Sequence, residues 1–221
     1  MRGQSMQYDR YRVARMYRLE KAAIRLGYRV VCGIDEAGRG ALAGPVVAGA
    51  VVLKSGTYVP MLKDSKLLTR KNRELVFREI KKRALAIGVG IISNRDIDSL
   101  NILKATKYAM KEALSDLNMV PDLLILDAIT LEDVDIPARV MVRADRKSAS
   151  VAAGSVVAKV IRDRIMEDLD IVHQGYGFRQ NKGYGTRSHI KALGEQGPTT
   201  VHRVTFAPVT QVCNQLTIEK E

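Results

Sequence analysis

Short apolar runs alternate with amphipathic segments along this chain of 221 residues. Runs rich in Val, Ile, Leu and Ala predict buried strands at residues 29–34, 46–53, 86–92, 123–126 and 138–144. Apolar residues at helical spacing predict helices over residues 70–84, 93–118 and 148–169, and a shorter helix near 186–194. This alternation indicates an α/β domain whose helices cover the faces of a central sheet.

Local signals refine these elements. Thr69 and Ser93 stand where helix N-caps belong, and Asn101 is a candidate break in the helix that follows Ser93. The segment between the first two strands is too short to hold a crossover helix. We therefore expect these two strands to pair antiparallel, which makes the sheet mixed.

Composition divides the chain into three regions. Residues 1–28 form a basic, partly helical extension, residues 29–210 the main domain, and residues 211–221 a tail. The segment 172–210 is rich in glycine and is expected to form a small helical and loop region. No run reaches the ~18 apolar residues of a membrane span, and the N-terminus has no apolar signal-peptide core. The two cysteines argue against a disulfide framework, so we expect a cytoplasmic monomer with no membrane partner.

The charge balance indicates a polyanionic partner. The chain has 36 Lys and Arg against 24 Asp and Glu, a formal net charge of +12, which favours nucleic acid. Between residues 171 and 194 there is no acid, and cations suited to phosphates alternate with aromatic rings suited to sugars or bases: Arg179, Lys182, Arg187, Lys191, Tyr176, Phe178 and Tyr184. A solvated basic loop over core aromatic residues is the alternative interpretation.

Carboxylates stand at the ends of three predicted strands. Asp35 and Glu36 follow the first strand, Asp127 ends the fourth, and Asp145 follows the fifth. Sites in open α/β sheets are built at strand ends, and acids that converge beside apolar runs need a compensating cation. A set of oxygen ligands favours Mg²⁺ or Mn²⁺ over zinc. Each acid taken alone could instead cap a helix or form an ion pair.

Other ionisable residues have simpler explanations. Asp163 lies four residues after Lys159 on a predicted helix, so the two are expected to form an ion pair. The three histidines show no ligand spacing among themselves: His173, His189 and His202. A metal-dependent reaction without a covalent intermediate is therefore the expected chemistry.

A glycine-rich segment, GIDEAGRGALAGP at residues 33–45, joins the first two strands. It is not a phosphate-binding P-loop, because it lacks the Lys-Ser/Thr pair and because its two acids would repel phosphate. Its glycine spacing also differs from that of a dinucleotide fingerprint. The missing side chains let backbone N–H groups approach a ligand closely, and Arg39 can donate to phosphate or sugar oxygens.

Six segments, in order, resemble bacterial ribonuclease HII. They cover residues 30–209 and read GIDEAGRGALAGPVVAGAVVL, LKDSKLLT, LILDA, DRKSASVAAGSVVAKVIRD, NKGYGT and HRVTFAPV. The resemblance implies an RNase H-like fold with a mixed central β-sheet flanked by helices. It also implies an endonuclease that hydrolyses the RNA strand of RNA–DNA hybrids. Such an enzyme incises 5′ to single ribonucleotides in duplex DNA, leaving 3′-hydroxyl and 5′-phosphate ends.

The resemblance also implies roles for particular residues. Matched by motif, the catalytic, metal-binding acids are Asp35, Glu36, Asp127 and Asp145, which would hold two Mg²⁺ or Mn²⁺ ions. Gly38, Arg39 and Gly40 match the loop that senses the ribose 2′-hydroxyl, and Tyr184 matches the tyrosine that packs on the adjacent deoxyribose. Ser65 and Lys66 resemble residues that contact the nucleic-acid backbone, and Lys182 is a further substrate-binding candidate.

Two departures and two alternative functions stand beside this interpretation. The family commonly has Lys-Gly-Asp where this chain has Arg143-Ala144-Asp145, and Gly154 replaces a common Ala at a helix penalty of about 1 kcal/mol at most. The alternatives are a structure-selective DNA nuclease, such as a junction resolvase, and a non-catalytic hybrid-binding protein. A sliding-clamp partner is not supported, since residues 211–216 stand where a clamp motif can occur but show none.

Overall fold

The computed structural model describes residues 2–218 of the chain, with side chains described for residues 6–215. None of the helices in this described part is long and apolar enough to cross a membrane. Short 3-10 turns cover Ser65–Leu67 and Ala144–Arg146. The strands are β1 (Val31–Ala37), β2 (Val46–Leu53), β3 (Ala84–Ile92), β4 (Leu123–Asp127) and β5 (Ala138–Met141). The helices are α1 (Arg2–Met16), α2 (Arg18–Arg25), α3 (Arg70–Arg83), α4 (Asn94–Leu100), α5 (Ile102–Ser115), α6 (Ala149–Val172), α7 (Phe178–Asn181), α8 (Arg187–Gln196) and α9 (Ala207–Ile218).

The sheet is mixed, as the sequence predicts, with the strand order β3-β2-β1-β4-β5. The antiparallel pairing of β1 with β2 is confirmed, and β2 pairs antiparallel with β3. The strands β1, β4 and β5 run parallel to one another. Because parallel strands end at the same edge of a sheet, the carboxyl ends of β1, β4 and β5 meet there.

Helices cover both faces of the sheet, and α6 lies unusually close to it. On the other face, α5 packs over β2 and β3. A Cβ atom added to Gly33 would lie 2.1 Å from the backbone nitrogen of Val151, and one on Gly154 would lie 2.6 Å from the carbonyl oxygen of Gly49. Glycine at position 154 is therefore required by packing, which the helix-propensity estimate did not include.

The predicted helix signals are confirmed. The hydroxyls of Thr69 and Ser93 accept hydrogen bonds from backbone N–H groups in the first turns of α3 and α4. Asn101 separates α4 from α5 with a left-handed φ of 70°, and its side chain caps α5. The chain therefore changes direction where the sequence predicts a break.

Several predicted boundaries are wrong. β1 continues to Ala37, since β2 pairs with it up to that residue, so Asp35 and Glu36 lie within the strand and not after it. β5 ends at Met141 and not at residue 144, because its partner β4 ends opposite Met141, at Asp127. The helix α9 was not predicted, since it lies in a tail expected to be irregular beyond residue 194.

The N-terminal extension is two helices packed on the domain. Tyr17 is fully buried, and its hydroxyl donates to the carbonyl of Thr57 at 2.8 Å. The buried carboxylate of Glu20 accepts hydrogen bonds from the Ser148 hydroxyl at 2.6 Å and from the Ser150 N–H at 2.9 Å. These contacts fix α2 to the N-terminus of α6.

Candidate active site

Three carboxylates converge at the edge where the parallel strands end. Asp35 lies in β1, Asp127 ends the neighbouring β4, and Asp145 lies in the 3-10 turn after β5. One oxygen from each lies within 4.8 Å of the others. Arg143, in a left-handed conformation with φ 58°, turns the chain back before Asp145. The N–H of Ala144 then donates to Asp127 at 3.3 Å, which ties this turn to the end of β4.

The fourth predicted acid, Glu36, lies beside this group but is not one of the three. Its Oε1 accepts a hydrogen bond from Arg39 at 3.3 Å, while its Oε2 is buried without a partner among the described residues. Burial raises the pKa of Glu36 although Arg39 opposes the shift, and the charge of Asp127 raises it further. An unsatisfied carboxylate oxygen of this kind is unfavourable in a site without a cation.

The electrostatics of the cluster fit a divalent cation. Burial raises the pKa of Asp35 well above its usual range, and the neighbouring Glu36 adds to this effect. Burial, together with the charges of Asp64 and Asp127, raises the pKa of Asp145 to about 6. Acids that repel one another this strongly, and that offer only oxygen ligands, suit Mg²⁺ or Mn²⁺.

Asp64 is an acid near the site that sequence reasoning missed. It is 5% exposed, lies 3.6 Å from Arg146, and accepts a hydrogen bond from the N–H of Lys66 at 2.9 Å. It stands in a polar turn and not at a strand end, so its place in the LKDSKLLT segment is the only sequence signal. Of the two predicted contact residues in that segment, Ser65 is buried with its hydroxyl 2.9 Å from that of Ser155, and Lys66 is exposed.

The two glycines of the Gly38-Arg39-Gly40 loop differ in their surroundings. Gly38 has a φ of +97°, and a Cβ there would lie 2.0 Å from Nε of Arg162. A Cβ on Gly40 would meet no described atom within 4 Å. The fold therefore requires glycine at position 38, whereas position 40 opens onto free space that a ligand can approach. The side chain of Arg39 is 43% exposed.

Two buried arginines hold this loop, and sequence reasoning missed both. Arg162 and Arg203 are fully buried, and neither forms an ion pair with an acid among the described residues. Arg203 donates to four carbonyls, at 2.8 to 3.1 Å, and Arg162 donates to three, at 2.8 to 3.1 Å. The acceptors of Arg203 are Gly38, Arg39, Gly44 and Pro45, and those of Arg162 are Ala43, Pro45 and Lys182.

Tyr184 packs against one of these buried arginines, Arg162. Its ring is 36% exposed, and the guanidinium carbon of Arg162 lies 5.4 Å from the ring centroid. The ammonium of Lys182 is bound to Glu167 at 2.6 Å, so this predicted contact residue already has a partner. The predicted ion pair between Lys159 and Asp163 is confirmed at 2.6 Å.

A pair of buried histidines, which sequence reasoning did not anticipate, is hydrogen-bonded to the backbone of Tyr184. The Nε2 atoms of His189 and His202 lie 3.1 Å apart. Nδ1 of His189 lies 2.9 Å from the Tyr184 carbonyl and must donate to it, while Nδ1 of His202 accepts from the N–H of Thr199 at 2.9 Å. His202 therefore donates to His189, and both rings are neutral. Burial lowers the pKa of both, and the charges of His189 and His173 help lower that of His202 to about 4.

The mixed sheet, with an acid cluster at the edge where its parallel strands end, is typical of a metal-dependent nuclease with an RNase H-like fold. The match to the family model of ribonuclease HII covers residues 32–209. A ribonuclease HII from Acetivibrio thermocellus is 48% identical over 187 residues, which are 85% of this chain and 73% of that protein. One from Acholeplasma laidlawii is 46% identical over 196 residues, covering 89% of this chain and 96% of that protein. This chain belongs to the ribonuclease HII family.

Solved structures show the same fold. The ribonuclease H2 of Pyrococcus horikoshii superposes with a TM-score of 0.72 at 23% identity, covering 86% of this chain and 99% of that one. The ribonuclease HII of Archaeoglobus fulgidus, solved in complex with PCNA, gives a TM-score of 0.67 at 25% identity, covering 80% and 95%.

The predicted family, fold and enzyme class are therefore confirmed. The chain is a divalent-metal-dependent ribonuclease H that acts on nucleic acid, an endonuclease that degrades the RNA of RNA–DNA hybrids.

Proposed function

We propose that this enzyme also incises duplex DNA 5′ to single embedded ribonucleotides, leaving 3′-hydroxyl and 5′-phosphate ends, and so begins ribonucleotide removal from DNA. The observation that carries the proposal is that the acids assigned to the reaction and the loop assigned to ribonucleotide recognition are only a few residues apart in the chain. Asp35 and Glu36 lie near the end of β1, just before its final residue Ala37, and the Gly38-Arg39-Gly40 loop follows, joined back to Glu36 by Arg39. A sugar beside the cleaved phosphate would therefore lie against this loop.

We assign Asp35, Glu36, Asp127 and Asp145 as the ligands of two Mg²⁺ or Mn²⁺ ions. Such ions, when bound, lower the pKa of an attacking water and stabilise the leaving oxygen. The protein contributes a fixed set of oxygens: three within 4.8 Å of one another and the unpartnered Oε2 of Glu36 nearby. Their positions are set by strand pairing and by the Asp145 turn, so little reorganisation is needed at the moment of reaction.

Recognition of the ribonucleotide is assigned to the loop and to Tyr184. The open space at Gly40 lets the backbone approach a sugar closely, and the exposed Arg39 can donate to a 2′-hydroxyl or a phosphate. The half-exposed ring of Tyr184 offers a flat face for the adjacent deoxyribose. Lys66 is exposed and suits a contact with the nucleic-acid backbone. Ser65 and Lys182 contribute to substrate binding indirectly, since their side chains are bonded to Ser155 and Glu167 of α6.

The substitution Asp35→Asn tests the metal assignment. It removes a negative charge from the centre of the cluster at nearly constant volume, so cleavage should fall about 10²- to 10⁴-fold. Binding of the duplex should survive, because most of its contacts are to other residues. The assay is cleavage of an end-labelled duplex with one ribonucleotide, in Mg²⁺ or Mn²⁺, beside binding measured by fluorescence anisotropy. Near-normal turnover by the variant would refute the assignment.

The same assay separates the alternative functions. The unmutated enzyme should cut 5′ to the ribonucleotide and leave an all-DNA duplex intact. A junction resolvase would cut branched DNA and ignore the ribonucleotide, and a non-catalytic hybrid-binding protein would retain the duplex uncut. Arg39→Ala should reduce the preference for the ribonucleotide more than it reduces the cleavage of long hybrids.

We further propose that residues 29–210 form the catalytic domain, including a substrate-binding segment at 172–210. Residues 1–28 form its basic extension and residues 211–221 its tail. The family match over residues 32–209 supports the first of these boundaries. The monomeric state and the cytoplasmic location are proposals from the sequence.

A further inference from the structure

The basic N-terminal helices form one wall of a groove beside the acid cluster. The groove has a volume of about 830 Å³. One wall carries Tyr8, Tyr11, Arg12, Arg15 and Arg18 from α1 and α2, and the other carries Lys63, Asp64, Leu67, Arg139, Asp145, Arg146 and Lys147. Asp145, one of the assigned metal ligands, is therefore part of the lining, and the groove lies between two largely cationic surfaces.

The cations of the groove are mostly available to a ligand. Arg12 is bound to Asp9 and to a carbonyl, and Arg146 lies 3.6 Å from Asp64. In contrast, the side chains of Arg18, Lys63, Arg139 and Lys147 form no ion pair or hydrogen bond with other described residues, and the side chain of Arg15 contacts the ring of Tyr11, at 5.9 Å. The lining has two acids, of which Asp64 has a cationic partner and Asp145 belongs to the metal site.

The wall formed by the N-terminal helices is fixed to the domain by buried contacts. Val13 and Tyr17 are buried in the core, and Glu20 is bonded to the first turn of α6, only a few residues after Asp145. The rings of Tyr8 and Tyr11, by contrast, are 70% and 63% exposed on the groove side of α1. Exposed aromatic rings among unpaired cations are the surface expected for a sugar-phosphate strand.

We infer that this groove binds the sugar-phosphate backbone of the duplex DNA that flanks the cleaved nucleotide. The inference rests on the proposed function for the position of the cleaved phosphate. A duplex cut at the acid cluster must continue past Asp145, and the groove is a cationic channel that opens there. The contacts are to phosphates and carry no sequence preference.

Two double variants test the groove. Arg15→Ser/Arg18→Ser removes two cations that line it, and Lys21→Ser/Arg25→Ser removes two exposed cations of α2 that do not. Both lower the net charge equally. For duplexes of about 30 base pairs, the groove variant should lose about two units from the slope of log affinity against log salt, since each phosphate contact contributes about 0.9. Affinity at physiological salt should fall about 5- to 10-fold, and the control should match the parent.

A further variant and a length series sharpen the outcome. Lys147→Ser, on the opposite wall, should reduce the slope by about one unit if both walls contact one strand. Shortening the duplex from one end should abolish the difference between the groove variant and the parent, which identifies the flank bound. Equal slopes for the two double variants, on long duplexes, would overturn the inference. Binding of all-DNA duplex reads out the groove independently, so loss of ribonucleotide preference would contradict only the proposed function.

Discussion

The hydrogen bonds of Arg203 lead to a prediction about the Gly38-Arg39-Gly40 loop, to which we assign recognition of the ribonucleotide and which we call the recognition loop. Its Nη2 donates to the carbonyls of Gly38, Gly44 and Pro45, and its Nη1 alone reaches the carbonyl of Arg39, at 2.9 Å. A lysine at this position ends one bond short of Nη1 and Nη2 and has three protons for four carbonyls, so Arg203→Lys leaves at least one acceptor unpaired. The carbonyl of Arg39, at the centre of the recognition loop, is one of these four acceptors.

The size of the effect follows from those contacts. An acceptor left unpaired in a partly buried position costs about 1–3 kcal/mol, and loss of guanidinium stacking on Phe206, 5.0 Å away, adds about 0.5–1 kcal/mol. We expect Arg203→Lys to lower the free energy of unfolding by about 2 kcal/mol. For a chain of this length Tm should fall by about 4–8 °C. Selectivity should fall as well, because the loop to which we assign recognition of the sugar is no longer fixed.

The assay combines thermal unfolding with kcat/KM on two substrates, a duplex with one ribonucleotide and a long RNA–DNA hybrid. The ratio of the two kcat/KM values should fall about tenfold, which corresponds to about 1.4 kcal/mol. Arg179→Lys is the matched control, because Arg179 is 55% exposed and its pair with Asp170 is long, at 3.7 Å. Parental stability together with parental selectivity in Arg203→Lys would refute the role of the guanidinium.

Three further predictions concern glycines and a histidine. The Gly40→Ala enzyme should keep the parental Tm but cleave single-ribonucleotide duplexes at least tenfold more slowly. The Gly38→Ala enzyme should instead unfold at a lower temperature. Equal effects of the two substitutions on Tm would contradict this difference between the glycines. The pKa of His202 is lowered from 6.5 to about 4 by burial, so the unfolded chain binds the extra proton as pH falls. Urea unfolding should therefore show that the free energy of unfolding falls by about 2 kcal/mol between pH 7 and pH 5. This fall should be smaller in His202→Gln and should remain at its parental size in His173→Gln. Gly154→Ala should destabilise the protein, despite better helix propensity, because its Cβ meets a carbonyl of β2 at 2.6 Å; a higher Tm would contradict this.

The positions of the acids could be predicted from the sequence because strand ends are visible there. Val- and Leu-rich runs mark the strands, and Asp35 and Asp127 stand near their ends, but the parallel pairing of β1 with β4 that brings the two acids together is seen only in the structure. Asp145 is less well explained by strand ends. It lies four residues beyond β5 and reaches the cluster only through the left-handed turn at Arg143, which no periodicity predicts.

The support of the loop could not be predicted, because its residues are of kinds that sequence reasoning places at the surface. An arginine is expected to be solvated or paired with an acid, yet Arg162 and Arg203 are fully buried against carbonyls. The partners of Arg203 lie about 160 positions away in sequence. Similarly, His189 and His202 are thirteen residues apart and contact each other only because the chain between them folds back.

The choice of arginine, and not of an acid, beneath the recognition loop has an electrostatic reason. A carboxylate there would add to the repulsion that already raises the pKa values of Asp35 and Glu36, and it would oppose an approaching phosphate. Buried guanidiniums satisfy the loop carbonyls and leave a positive field, which is weakly screened because the groups are removed from water. The segment from β1 to β2 thus has an acid cluster suited to a cation at one end, and the buried Arg162 and Arg203 beneath it provide a positive charge suited to an anionic strand. In the function that we propose, binding and cleavage both occur within a few residues of this loop, and the two fields of opposite sign suit that arrangement.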